Sequence, residues 1–199
     1  MWRYGNGLLA PFDLLGRGSS DGVLLQRLEA DAPLPVRDGW PAWFGESRVA
    51  AHVRAMIEGV PMRLCGTHLG VLPEQRRWQR ERIAERLAAE AGGDCPTIVA
   101  ADFNSGIDHT HFVDEPCNMT PCCTPQQELA EWRERTGLVD VLDHLGVDDR
   151  TYPTPAPTFA LDRIWVSRHF GVENAGVYVD DPVAAASDHY PVFADLVLD

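Results

Sequence analysis

From Arg48 onward the chain falls into stretches of two different periods. Val49, Ala51, Val53, Ala55 and Ile57 alternate with Ala50, His52, Arg54 and Met56, the two-residue repeat of a β-strand. Glu58-Gly59 supplies a turn and residues 61–67 form a second strand, so the pair predicts a hairpin ending at Thr67-His68-Leu69. From about residue 74 to 91 the repeat lengthens. Ile83, Ala84, Leu87, Ala88 and Ala91 share one helical face, with the i,i+4 pairs Arg77/Glu81 and Arg86/Glu90 on the other. Gly92-Gly93 closes that helix. Residues 97–101 are a short apolar run, the pattern of a strand buried on both faces, and it stops abruptly at Asp102.

Strand, helix and strand in succession predict an α/β crossover unit. Such units carry functional loops at the C-terminal ends of their strands, where His68 and Asp102 stand. Beyond them the chain is more irregular. A helix is predicted over 125–136, followed by Gly137-Leu138-Val139-Asp140 and a proline-rich loop over 152–157. Residues 159–167 read as a strand with Asp162 inside it, and 189–198 as a last alternating strand opening on Ser187-Asp188-His189. The first forty-odd residues are rich in Gly and Pro, with apolar pieces at Leu8-Leu9, Leu14-Leu15 and 23–28 that read as short strands or turns.

Composition narrows the class. At 199 residues, 45% hydrophobic and 24% charged, the chain fits one globular domain, 1–199. A formal net charge of -13 lacks the basic footprint of a dedicated nucleic-acid binder. It leaves a phosphoester substrate open, because a bound divalent cation supplies positive charge locally. No apolar run is long enough for a membrane-spanning helix, and the start Met-Trp-Arg-Tyr-Gly-Asn is not a signal peptide, which makes the chain cytoplasmic if Met1 is the true start. Of five cysteines, Cys65 and Cys95 sit in strand-like surroundings and read as free thiols.

Three separate strands thus begin or end on residue types that phosphoester hydrolysis needs: carboxylates for a cation and for activating water, an amide, and imidazoles that handle protons. Asp162 inside a strand needs a partner, and a histidine ring is a natural one. His189 and Asp162, 27 positions apart, are therefore expected to be hydrogen-bonded neighbours.

Gly66-Thr67-His68-Leu69, Ala101-Asp102-Phe103-Asn104, Leu161-Asp162-Arg163-Ile164 and Ser187-Asp188-His189-Tyr190-Pro191-Val192 resemble, in order, the motifs of the endonuclease/exonuclease/phosphatase superfamily, to which deoxyribonuclease-I-like nucleases, neutral sphingomyelinases and inositol polyphosphate phosphatases belong. Residues 4–9 look like that family's first central hairpin, and Arg48 like an arginine found two strands later. The resemblance implies an α/β fold, a two-sheet β-sandwich flanked by helices with its site at one edge. It implies a hydrolase in which Asp102 orients or deprotonates the attacking water and Asn104 holds the phosphate or the nucleophile. His189 contacts the scissile phosphate and handles a proton, oriented by Asp162, while His68 stabilises charge on the phosphate. Asp188, with Asp102 and Asn104, holds Mg²⁺ or Mn²⁺. The implied partner is a phosphoester: nucleic acid, phospholipid or a small phosphate ester. Substrate identity and oligomeric state stay open.

The family pattern also has a strand with an Asn and one ending in Gln-Glu ahead of the first hairpin, and neither is present here. Leu24-Leu25-Gln26-Arg27 echoes the second only by chance, since Arg27 stands in place of the acid. The carboxylate that partners the family's strand-end His has no candidate here either. The expectation is a chain truncated at its N-terminal side and missing the first strands, hydrolysing a generic phosphodiester barely above background. The rival reading is an inactive remnant that binds a partner or has no function.

His109, His111, Cys117, Cys122 and Cys123 are ligand types that suit zinc, at a spacing that matches no standard module. A disulfide-stapled loop and ordinary loop thiols are the alternatives. Residues 152–157 read as a rigid loop near the site, and Trp132 and Trp165 as core.

Overall fold

The computed structural model describes residues 24–30, 48, 50–57, 59–71, 73–89, 95–105 and 124–198. The expected hairpin at 4–9, the Gly92-Gly93 stop, and His109, His111, Cys117, Cys122 and Cys123 lie outside the described residues.

Strands β1 (Leu24–Ala30), β2 (Ala50–Ile57) and β3 (Val60–His68) pair antiparallel in chain order. Helix α1 (Pro73–Ala89) carries the chain over to β4 (Thr97–Asp102), which runs parallel to β3. Then come α2 (Pro125–Thr136), the two-residue β5 (Val139–Asp140), α3 (Val141–Leu145) and β6 (Asp162–Val166). The main sheet has the order β1-β2-β3-β4-β6-β5. β7 (Phe170–Val177) and β8 (Val192–Leu198), joined through α4 (Asp181–Ala186), form a second, two-stranded sheet.

Alternate residues of β4 and β6 separate the two layers. Val99, Ala101 and Trp165 pack with Ile83, Leu87 and Trp132 of α1 and α2, whereas Ile98, Ile164 and Val166 pack with Ala175 and Leu196 of the second sheet and Leu142 of α3. Helices α1 and α2 therefore cover one face, and β7–β8 with α3 the other, because successive side chains on a strand point to opposite faces. Phe103, Trp132 and Trp165 meet edge-on or tilted at centroid distances of 5.5–6.4 Å, so both tryptophans are core.

Local chemistry sets the ends of α2. Thr124 and Gln127 form a reciprocal capping box, Pro125 opens the helix, and Gly137 at φ 69° closes it in the left-handed region. The hairpin, α1, β4 and α2 lie where periodicity puts them. Two readings change. β2 is flanked by strands on both sides, and Ala50 and His52 are buried along with Val53 and Ala55, so the alternation does not divide it into a wet and a dry face. β6 begins at Asp162 because Phe159 is drawn into a bridge with Tyr152, leaving Asp162 at the strand mouth. Leu24-Leu25-Gln26-Arg27 opens strand β1, in keeping with the short strand or turn read at 23–28, with a bulge between Leu25 and Arg27.

Candidate active site

Parallel pairing places His68 beside Asp102, and antiparallel pairing places Asp102 beside Asp162. Three neighbouring strands thus present one polar row along a single sheet edge. His189, on the loop ahead of β8, completes the row: its Nδ1 lies 2.7 Å from Asp162 Oδ2, the pairing expected from sequence. The carboxylate partner that His68 lacks in sequence is Asp102, whose Oδ2 is 3.1 Å from His68 Nε2. No pattern within either segment announces that contact, since it depends on strand register.

Asp102 is held at both oxygens. Oδ1 accepts the backbone N–H of Asn104 at 2.9 Å, and Oδ2 meets His68. Asn104 adopts φ 50°, a left-handed conformation that Asn tolerates better than most residues. Its side-chain amide donates to Leu69 O at 2.8 Å, tying the turn after β4 to the turn after β3. Asp188 is exposed and lies outside the tight group, near enough for its charge to act on His189. The side chains of His68 and His189 are 35% and 27% exposed, so a substrate can reach both rings.

Burial, followed by the nearby charge of Asp162, pushes the Asp102 carboxyl up to about 7. Burial, then the buried Arg48 guanidinium, pulls His68 down to about 4. His68 is accordingly neutral near neutral pH. Its contact with Asp102 is a hydrogen bond, with the imidazole donating when Asp102 is ionised and accepting when Asp102 carries the proton. The hydrogen bond to Asp162 raises His189 against the opposing effect of burial, and the charges of Asp162, Asp102 and Asp188 add to the rise. The site therefore holds a carboxyl poised to take a proton beside an imidazole disposed to keep one.

Asp102, Asp162 and His189 each offer an atom within 4.8 Å of the others. Two facing carboxylates fit a hard divalent cation, and the upward push of Asp162 on Asp102 is the repulsion that such a charge relieves. His189 is the weaker candidate ligand, since its Nδ1 is committed to Asp162.

Sequence reasoning missed the supports on the helix side. Glu128, 1% exposed, accepts from Arg76 and Arg80 of α1 and from Ser105, next to Asn104. Gln79 Oε1 accepts the backbone N–H of Gly70 at 2.7 Å. A carboxylate and an amide on buried helix faces are the only local sign of this framework.

The sequence matches the family described as Endonuclease/Exonuclease/phosphatase family over residues 13–189. No curated protein matches it. Among solved structures, the mannosyl-6-phosphatase of Bacteroides thetaiotaomicron is 19% identical with a TM-score of 0.66, over 90% of this chain and 68% of that one. The human nocturnin catalytic domain with bound sulfate is 20% identical with a TM-score of 0.63, over 90% and 62%. TDP2 of D. rerio, complexed with a single-strand DNA product, is 17% identical with a TM-score of 0.57, over 88% and 69%. At these identities the likeness is one of fold.

Proposed function

This chain belongs to the endonuclease/exonuclease/phosphatase family, and on that premise we propose that residues 1–199 form one domain that hydrolyses a phosphoester with an Asp-activated water. The observation that carries the reading is the continuous row His68–Asp102–Asp162–His189 across adjacent strands. Asp102, pushed up to about 7, takes the proton of the attacking water. The water oxygen bonds to phosphorus, the bond to the leaving oxygen breaks, and His189 gives that oxygen its Nε2 proton. Asp162 holds the imidazole by Nδ1 and so leaves Nε2 turned to the substrate. His68, neutral, keeps the Asp102 carboxyl in place with its one N–H. Asn104 fixes Asp102 through its backbone N–H, and its carboxamide, donating to Leu69 O, locks the turn that carries it.

Mg²⁺ or Mn²⁺ fits Asp102 and Asp162, with exposed Asp188 free to approach, and when bound would polarise the phosphoryl oxygens. The substrate is a phosphoester whose leaving group the present residues do not specify. Among the described residues no helix is long and apolar enough to cross a membrane.

The test is hydrolysis of bis-p-nitrophenyl phosphate and p-nitrophenyl phosphate with Mg²⁺ or Mn²⁺, run beside Asp102→Ala. Turnover that disappears in the variant supports the proposal. Turnover that survives it, or none on any phosphodiester or phosphomonoester, refutes it.

A further inference from the structure

His189 stands on a loop between α4 and β8 that no sheet ladder holds. Its backbone is fastened instead by the segment before β6. Thr151 O accepts the N–H of Tyr190 at 2.8 Å, and Thr154 N–H donates to Asp188 O at 3.0 Å. Thr154 Oγ1 donates to Ser187 O at 2.7 Å. Thr151 Oγ1 also accepts the N–H groups of Leu161 and Asp162. One short segment therefore fixes the main chain of both members of the Asp162–His189 pair.

Main-chain anchoring leaves the imidazole free to turn. Its bond to Asp162 restrains one atom, Nδ1, and a ring held at one atom can pivot about that bond. The Tyr152 ring removes this freedom: it lies 4.8 Å from the His189 ring, centroid to centroid, tilted by 45°. Tyr152 is itself placed at both levels: its main chain pairs with Thr158 and Phe159, and its ring lies 6.4 Å from that of Phe159, tilted by 39°.

We propose that Tyr152 is a positioning residue for His189, its ring closing the imidazole against Asp162 so that Nε2 faces the scissile phosphoester. The proposal rests on the hydrolase reading for its consequence in rate, though not for the geometry itself. A half-buried Tyr has an ordinary packing role, so the test must move something that packing alone would not.

The experiment compares Tyr152→Phe with Tyr152→Leu by crystal structure and by steady-state kinetics on bis-p-nitrophenyl phosphate. Phe keeps the ring and should keep both the Nδ1–Oδ2 bond and the wild-type kcat. Leu keeps bulk without the aromatic face. His189 should swing away from Asp162, and kcat should fall on the order of 10- to 100-fold with KM changed less than about twofold. Tyr152→Gln replaces Leu if that variant fails to fold. An unmoved His189 with unchanged kcat overturns the proposal. So does a rise in KM alone, which would make Tyr152 a substrate contact. If the wild type is silent on every ester, the hydrolase reading falls, while the position of His189 in the variant structures still decides this one.

Discussion

Asp102 and Asp162 stand opposite each other in the β4–β6 ladder, two carboxylates on neighbouring strands at the sheet edge. Each has its own histidine: His68 for Asp102 and His189 for Asp162. The like charges explain part of the rise of Asp102, and the second histidine offsets Asp162. Perturbing one carboxylate therefore reports on the other.

Asp162→Asn removes the bond that most raises His189 and the like charge that helps raise Asp102. Both groups should titrate lower than in the wild type, His189 by NMR of its ring and Asp102 by its side-chain carbon shift. Turnover should fall about 10- to 100-fold, as when the partner that orients a ligating or catalytic His is removed. An unmoved His189 titration would break the link between the pair and the proton it carries.

The pH profile of kcat/KM should be a bell. Its rising limb reports loss of the proton from Asp102, near 7 without cation. Its falling limb reports loss of the proton from His189, above the ordinary value of 6.5. Both limbs belong to the coupled set rather than to single residues. Added Mg²⁺ or Mn²⁺ favours the carboxylate and should move the rising limb to lower pH, and chelation should move it back. A rising limb that ignores the cation would show that the metal is held elsewhere.

Stability should carry the same signature. Asp102 has a folded pKa of about 7 against 3.8, so its favourable contribution is present at low pH and is lost as pH rises through 7. His68, at about 4 against 6.5, contributes above pH 6.5 and loses that as pH falls toward 4. The two slopes oppose each other. Asp102→Asn removes the first, and should stabilise the protein relative to wild type at pH 8 by up to on the order of a few kcal/mol, and by clearly less at pH 5, inside the window between 3.8 and about 7. Thermal or urea unfolding at the two pH values checks this. Equal effects at both would mean that the charge of Asp102 costs the fold nothing.

Glu128 lies under the site, and its removal should be felt as an uncompensated pair of buried guanidiniums. Arg76 and Arg80 are each 4% exposed in their contact with it. Glu128→Ala should cost about 3–5 kcal/mol in urea unfolding, whereas Arg82→Ala, which breaks the exposed Arg82–Glu85 pair, should cost less than about 1 kcal/mol. Comparable small losses in both would mean that the buried cluster is dispensable.

Much of this protein was decided locally. The 3.6-residue period of α1, the capping box and Gly137 of α2, and the apolar run ending at Asp102 are short-range patterns, visible because neighbours in sequence are neighbours in space. The same holds for the strand-end positions of His68 and Asp102. β7 was not legible. It carries Gly171, Glu173, Asn174 and Gly176, and it is a strand through its ladder with β8 rather than through any alternation of its own. α3, five residues long, is too short to display a period. Tertiary structure alone decided that Asp102 is the partner of His68, that Glu128 braces Ser105 from a distant helix, and that Tyr152 leans on His189. Each contact joins segments whose relation is fixed by strand register or helix packing, and those depend on the summed burial of the whole core, which no local window contains.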